Sequence, residues 1–379
     1  MADSAPERKG KRYFIVAGEA SGDLHASNLI RQIKLIQADA VFCGFGGDLM
    51  EAAGMHLKKH YREMDFMGFI EVIANLRTIF KNLDYCKRCI EEFKPDAIIL
   101  VDYPGFNLRI APYAKEKGIE VIYYISPQIW AWKQDRVYKI RECVDKMLVI
   151  LPFEKEFYNR FDMRVDFVGH PLLDAIAQFE EDNNTESFRA TYRLNERPII
   201  ALLPGSRKQE IKRKLPVMLK MTTHFPAYQF VVAKAKSQSI GFFEELIGNA
   251  DVRIIENDTY RVLQHAEAAC VTSGTATLET ALFNVPEVVC YKGNKLSYYI
   301  ARQLIKVKFI SLVNLIMDRE VVKELIQNEL SETNLRFELA QLLEPGKREE
   351  LMLQYAELKN KLGGNGASLR AAKIITGAS

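Results

Sequence analysis

Short runs of β-branched and aromatic residues alternate with longer amphipathic stretches along most of the chain, and the pattern breaks once and then restarts. Such alternation builds βα units, whose strands pair in parallel beneath covering helices. In the first half the strand-like runs are Tyr13–Ala17, Val41–Gly44, Ala97–Val101, Val121–Ser126, Met147–Ile150 and Val165–Val168, the last running into Gly169-His170-Pro171. The polar, acidic stretch Gln178–Thr185 (QFEEDNNT) then reads as an exposed linker. The pattern resumes with Ile199–Leu203, Phe230–Ala233, Val252–Ile255, Ala269–Thr272 and Val288–Tyr291. A chain of 379 residues suits two α/β domains of roughly 150–200 residues each. The expected boundaries are 1–175 and 186–345, with a helical segment 346–379 packing back on the body. Two doubly wound domains facing each other would gather the C-terminal ends of their strands, where such sheets bind ligands, around one shared cleft.

Charge argues against nucleic-acid wrapping as the default and leaves a local basic patch open. The 52 basic and 49 acidic side chains leave a net charge of +3, and counterion-release binding of nucleic acid needs a concentrated basic face. Six cysteines are scattered, and the CxxC pair Cys86–Cys89 lies in a charged, helix-like stretch without a second pair, so it reads as reduced and structural. No cleavable signal sequence is recognisable, and no uncharged apolar run reaches the roughly 20 residues of a membrane span. A cytosolic protein, or one resting on a membrane without crossing it, is expected. Two amphipathic stretches, residues 64–80 and 296–316, suit a lipid surface if their apolar side chains are exposed, and otherwise read as core.

Four segments carry candidate chemistry. Gly18-Glu19-Ala20-Ser21-Gly22-Asp23 follows a strand and opens a helix, where a close backbone approach and a helix N-terminus favour an anion; the alternative is a tight turn capped by Ser21 or Asp23. It is neither a dinucleotide fingerprint nor a P-loop. Asp102, at the end of an apolar strand and before Tyr103-Pro104-Gly105, is placed to take a proton from a hydroxyl, or else simply forms the turn. Pro204-Gly205-Ser206-Arg207 makes a second anion cradle, with Arg207 able to grip a diphosphate through its planar fork. Lys208, Lys212, Arg213 and Lys214 behind it read as a solvated basic helix face. Thr272-Ser273-Gly274-Thr275 opens a helix suited to phosphate oxygens, and Glu279 within it suits the two hydroxyls of a ribose; the alternative is a helix cap. Trp130 and Trp132 follow another strand end and could line a site or fill the core. The histidines have no metal-ligand spacing.

The segments GEASGD, VDYPGFN, SPQIWAWK, LPFEKEFY, GHPLLD, LLPGSRKQEI, SGTATLE and SLVNLI occur in the order found in lipid-A-disaccharide synthases. From about Tyr13 to about Leu330 the chain resembles that family, with Asp48 and Val313 standing where the family usually has proline. The resemblance implies a GT-B fold of two facing Rossmann-like, doubly wound domains and no cofactor or catalytic metal. The implied donor is a UDP-2,3-diacylglucosamine, the acceptor an acylated glucosamine 1-phosphate, and the products a β-1,6-linked disaccharide 1-phosphate and UDP. It further implies transient contact with the cytoplasmic face of the inner membrane and leaves a homodimer open. Within that scheme Asp102 is the base. Gly205, Ser206, Arg207, Ser273, Gly274, Thr275, Glu279 and Asn314 hold the donor, with Arg207 also neutralising the leaving group. Gly18, Glu19, Ser21, Asp23 and Trp130 form the acceptor side. A sugar-nucleotide 2-epimerase and a non-catalytic lipid or nucleotide carrier are the rivals. Release of UDP only in the presence of acceptor separates transfer from both.

Overall fold

The computed structural model describes residues 10–64, 76–181, 188–235, 238–294 and 307–378. The chain divides into two compact units, Met1–Ala177 with Leu362–Ser379, and Gln178–Lys361. Each unit is one parallel sheet covered by helices.

The first sheet has seven strands: β1 (Arg12–Ala17), β2 (Val41–Gly46), β3 (Met55–His60), β4 (Ala97–Val101), β5 (Glu120–Tyr124), β6 (Lys146–Val149) and β7 (Asp166–Phe167), in the order β3-β2-β1-β4-β5-β6-β7. Central strands are continuous apolar runs because both faces are covered; all five residues of β4 (AIILV) are buried. The second sheet has six: β8 (Ile199–Leu203), β9 (Gln229–Lys234), β10 (Val252–Glu256), β11 (Ala266–Thr272), β12 (Glu287–Tyr291) and β13 (Lys323–Ile326), in the order β10-β9-β8-β11-β12-β13. Both orders step outward from a first strand and then reverse. The reversal falls between β1 and β4 in the first unit and between β8 and β11 in the second. The expectation of two doubly wound α/β domains is met.

Two strands have no counterpart in the sequence reading. β3 (MHLKKH) and β13 (KELI) are edge strands, which face solvent along one side and carry charge, so they lack the apolar run that marks central strands. The linker expected at Gln178–Thr185 is helical in its first half: residues 178–181 end the helix Leu172–Glu181, and Phe179 packs its ring against Tyr260 and Phe283 at 5.4 and 6.0 Å. The rest of that stretch lies outside the described residues. The segment expected to act as one piece at 346–379 is divided, with helix Pro345–Lys361 in the second unit and helix Ala367–Thr376 in the first. The six cysteines are free and buried. Of the two amphipathic stretches, residues 65–75 and 295–306 lie outside the described residues; Phe80 is exposed, whereas Leu312, Val313 and Ile316 are core.

The helix Ala367–Thr376 is capped from a distance. Its N-cap Gly366 has no side chain, and the Asp174 carboxylate accepts from the N–H groups of Gly366 (2.6 Å), Ala367 (3.3 Å) and Ser368 (2.7 Å). Ala367, Ala371, Ala372 and Ile375 bury its inner face. Capping by a side-chain oxygen contributes about 1 kcal/mol, up to about 2. Asp174→Ala is therefore expected to lower stability by about 1–2 kcal/mol in a urea titration, with Asp174→Asn losing less; an unchanged midpoint for Asp174→Ala would refute the capping role.

Candidate active site

In open parallel sheets the crevice lies at the carboxyl ends of the strands where the order reverses, because the two flanking connections leave in opposite directions. Each unit has one such point, and the four segments singled out in the sequence occupy both.

In the first unit, the loops after β1 and β4 meet. Gly18 lies against the Tyr103 ring so closely that any Cβ at position 18 would collide with it. The carboxyls of Glu19 and Asp102 are near enough to repel. Asp102 and Tyr103 both adopt left-handed backbone conformations, with φ of 43° and 44°. This costs of order 1–3 kcal/mol for each residue and persists only where the surroundings enforce it. Three hydrogen bonds enforce it: the Asp102 N–H donates to the Tyr124 carbonyl at 3.1 Å, and the Asp102 carbonyl accepts from the Tyr123 hydroxyl at 2.6 Å and the Asn107 amide at 2.7 Å. Asn107 is fully buried and also donates to the Val101 carbonyl at 3.2 Å. Burial, then the negative charge of Glu19, push the Asp102 carboxyl up to about 7, while the Tyr103 N–H pulls it partly back. Asn107 and Tyr123 had no role in the sequence reading. The turn before Pro104 pointed to Asp102 alone, and a hydrogen bond to a backbone carbonyl leaves no trace in the sequence.

Two acceptor-side expectations are corrected here. Asp23 is buried, and its carboxylate accepts from the N–H groups of Gly47 (2.9 Å), Leu49 (3.1 Å) and Met50 (3.0 Å). It anchors the short helix Asp48–Ala52 and has its oxygens committed to backbone. Trp130 is 7% exposed, donates from Nε1 to Glu154 at 3.2 Å and packs edge-on against Phe153, so it belongs to the core. The exposed indole is Trp132, at 53%, with the Lys133 ammonium 4.4 Å and the Arg136 guanidinium 5.7 Å from its ring. Ser21 is exposed in the first turn of helix Ala20–Ile36, whose N-cap is Glu19.

In the second unit, the loops after β8 and β11 meet in the same way. Gly205 has φ of +105°, which favours glycine, and a Cβ there would stand 3.2 Å from the Thr272 methyl. Ser206 and Arg207 are exposed, and Arg207 is the N-cap of helix Lys208–Leu219, with Nη1 3.4 Å from Glu210 Oε1. Gly274 and Thr275 are exposed where helix Thr275–Leu282 begins. The Ser273 hydroxyl donates to the Ile310 carbonyl at 2.8 Å. Glu279 is held by the Tyr260 hydroxyl, and burial pushes its carboxyl up to about 7.

Asn314 takes another task than the one expected. It is fully buried; Nδ2 donates to the Val322 carbonyl (2.8 Å) and Glu324 (2.9 Å), and Oδ1 accepts from the Val321 and Val322 N–H groups (2.8 and 3.0 Å). All four hydrogen-bonding positions of its amide are filled, so no capacity remains for a ligand. Glu324 in turn accepts from the N–H groups of Ile310 and Ser311. The pair fixes the backbone on which Ser273 rests. Lys214 departs furthest from expectation, being 2% exposed where a solvated cation was foreseen.

Comparison with known proteins gives the family and the fold. Residues 13–375 match the family described as Lipid-A-disaccharide synthetase. The Lipid-A-disaccharide synthase of Syntrophus aciditrophicus (strain SB) is 41% identical over 370 residues, covering 96% of both chains. Among solved structures, UDP-GlcNAc 2-epimerase from Neisseria meningitidis, bound to UDP-GlcNAc, has a TM-score of 0.68 at 14% identity, covering 97% of this chain and all of its own. The glycotransferase of kitacinnamycin has a TM-score of 0.65 at 14% identity, covering 98% and 99%. These likenesses show a GT-B fold, and the sequence match shows more: the chain belongs to the lipid-A-disaccharide synthase family, the glycosyltransferases that condense the disaccharide of lipid A.

Proposed function

We propose that the chain transfers a 2,3-diacylglucosaminyl unit from UDP to the 6-hydroxyl of an acylated glucosamine 1-phosphate. The observation that carries this reading is Asp102, a carboxyl held in strained backbone at the first unit's switch point and raised to about 7. A general base works best with a pKa near the operating pH, where it is both ionised and basic enough to draw a proton. As the acceptor's 6-oxygen attacks the donor's anomeric carbon, its proton passes to Asp102. The bond from that carbon to the diphosphate oxygen breaks, and UDP leaves with the electron pair. One displacement inverts the anomeric centre.

The second unit's loops suit the leaving group. Arg207 and the helix openings at Lys208 and Thr275 supply fixed positive ends for developing diphosphate charge without a metal. In this reading Glu279 would accept the ribose hydroxyls, and Gly205, Ser206, Ser273, Gly274 and Thr275 would offer backbone and hydroxyl groups to phosphate oxygens. On the acceptor side, Gly18, Glu19 and Ser21 remain from the sequence reading, with Trp132 replacing Trp130. Attachment to the cytoplasmic face of a membrane is part of the proposal: among the described residues no helix is long and apolar enough to cross one, and Phe80 exposes an apolar ring beside the Arg109 guanidinium, 5.8 Å away.

Asp102→Asn keeps the size of the side chain and removes the base, so kcat should fall by about 10²–10⁴-fold, read as UDP released in the presence of acceptor. Near-normal turnover by the folded variant would sink the assignment. Wild-type UDP release without acceptor would sink transfer itself.

The pH profile gives a second check. Asp102 acts ionised, so kcat/KM should climb with pH up to an inflection near 7 and then level off. Glu19→Gln removes a like charge, and the inflection should move to lower pH. A profile that Glu19→Gln leaves in place would separate the two carboxyls.

A further inference from the structure

Lys214 occupies an apolar position. The helix Lys208–Leu219 buries Ile211, Lys214, Leu215 and Met218, a stripe with helical spacing in which the lysine stands among aliphatic side chains. Burying an ammonium is unfavourable unless it is paired, and well-packed hydrophobic replacements for buried ion pairs are often neutral or stabilising. A cation retained there calls for a use of its charge.

Its surroundings say which use. The ammonium donates to the Thr272 hydroxyl, on the last residue of β11. It also lies beneath the loop after β8, 3.6 Å from where a Cβ at Gly205 would be. Lys214 thus ties together the two anion-cradle loops of the second unit. Its carboxylate partner is shared and loosely held: Glu210 Oε2 is 3.5 Å from the Lys214 ammonium and Oε1 is 3.4 Å from Arg207 Nη1. The Glu210 side chain is 37% exposed, against 2% for Lys214. A single carboxylate, partly in water, spans two cations with one oxygen toward each. Burial lowers the Lys214 pKa, and Glu210 offsets part of that.

We propose that Lys214 and Arg207 form a two-cation site for the diphosphate of the nucleotide donor, and that Glu210 competes with the diphosphate for both. Lys214 is the fixed member, locked by packing and by Thr272; Arg207 is the exposed member that closes from the solvent side. Gly205 leaves the space between them free of any side chain. The inference rests on the reading of the second unit as the UDP-binding one.

The test is equilibrium binding of uridine, UMP and UDP to the full chain, with thermal unfolding of each variant alongside. Lys214→Met should weaken UDP by about 10–100-fold, UMP by less, and uridine not at all, without lowering the unfolding temperature. Glu210→Gln should tighten UDP several-fold while leaving uridine unchanged. Equal losses for uridine and UDP in Lys214→Met, or UDP binding as tight as wild type, would overturn the proposal. Should Lys214→Met not fold, Glu210→Gln decides: UDP bound no more tightly than by wild type overturns it. Wild-type protein that binds no UDP at all would instead remove the reading on which the proposal stands.

Discussion

A parallel sheet whose strand order reverses leaves a gap that its own connections cannot cover, and the candidate chemistry of this chain gathers at the two gaps its sheets create. Between β1 and β4, and again between β8 and β11, neighbouring strands pair in parallel, but at such a reversal the outgoing loops turn to opposite faces. Residues distant in sequence are therefore forced together at the strand ends: Glu19 with Asp102, and Gly205 with Thr272. Their proximity follows from strand order, so the sheet cores act as scaffolding for a few side chains each.

What the two gaps do with charge is opposite. The first presses two carboxyls together under burial, which favours the protonated form and raises Asp102 toward neutrality. The second gathers cations around one shared carboxylate. In the proposed displacement, this difference matches what each half demands. A base must gain a proton near the working pH, so its charge has to be costly; a group that stabilises a leaving diphosphate must stay charged throughout. In the proposed donor site Arg207 would meet the second demand, because its guanidinium stays charged. Burial lowers the Lys214 pKa, and Glu210 offsets part of that lowering.

Strand β4 and the turn after it could be read from the sequence because an apolar run ending in Asp-Tyr-Pro-Gly has few other meanings. The edge strands β3 and β13 could not, since an edge does not require apolar residues on both faces. Asp23, Trp130 and Asn314 show a different limit. Each sits in a segment that marks the family, yet each spends its polar groups inside the fold: on the helix Asp48–Ala52, on Glu154 and on the loop before β13. A motif names the neighbourhood of a site. Which side chain of the motif faces the ligand depends on partners far along the chain, as with Asp23 and Gly47, 24 residues apart. Lys214 erred the other way, because a lysine within a basic run looks solvated unless the helical phase is traced against the strand beneath it.

The strain at Asp102 and Tyr103 is held by the same sheet that opens the first gap. Two consecutive non-glycine residues with positive φ would relax to an ordinary turn if the loop were free. Three hydrogen bonds hold them, from Asp102 to the Tyr124 carbonyl and from Tyr123 and Asn107 to the Asp102 carbonyl. Tyr123 and Tyr124 both belong to β5, the strand next to β4. The sheet that creates the gap thus also supplies the force that aims the carboxyl within it. In the proposed mechanism, an Asp102 backbone already fixed by these bonds leaves less reorganisation for the moment of reaction.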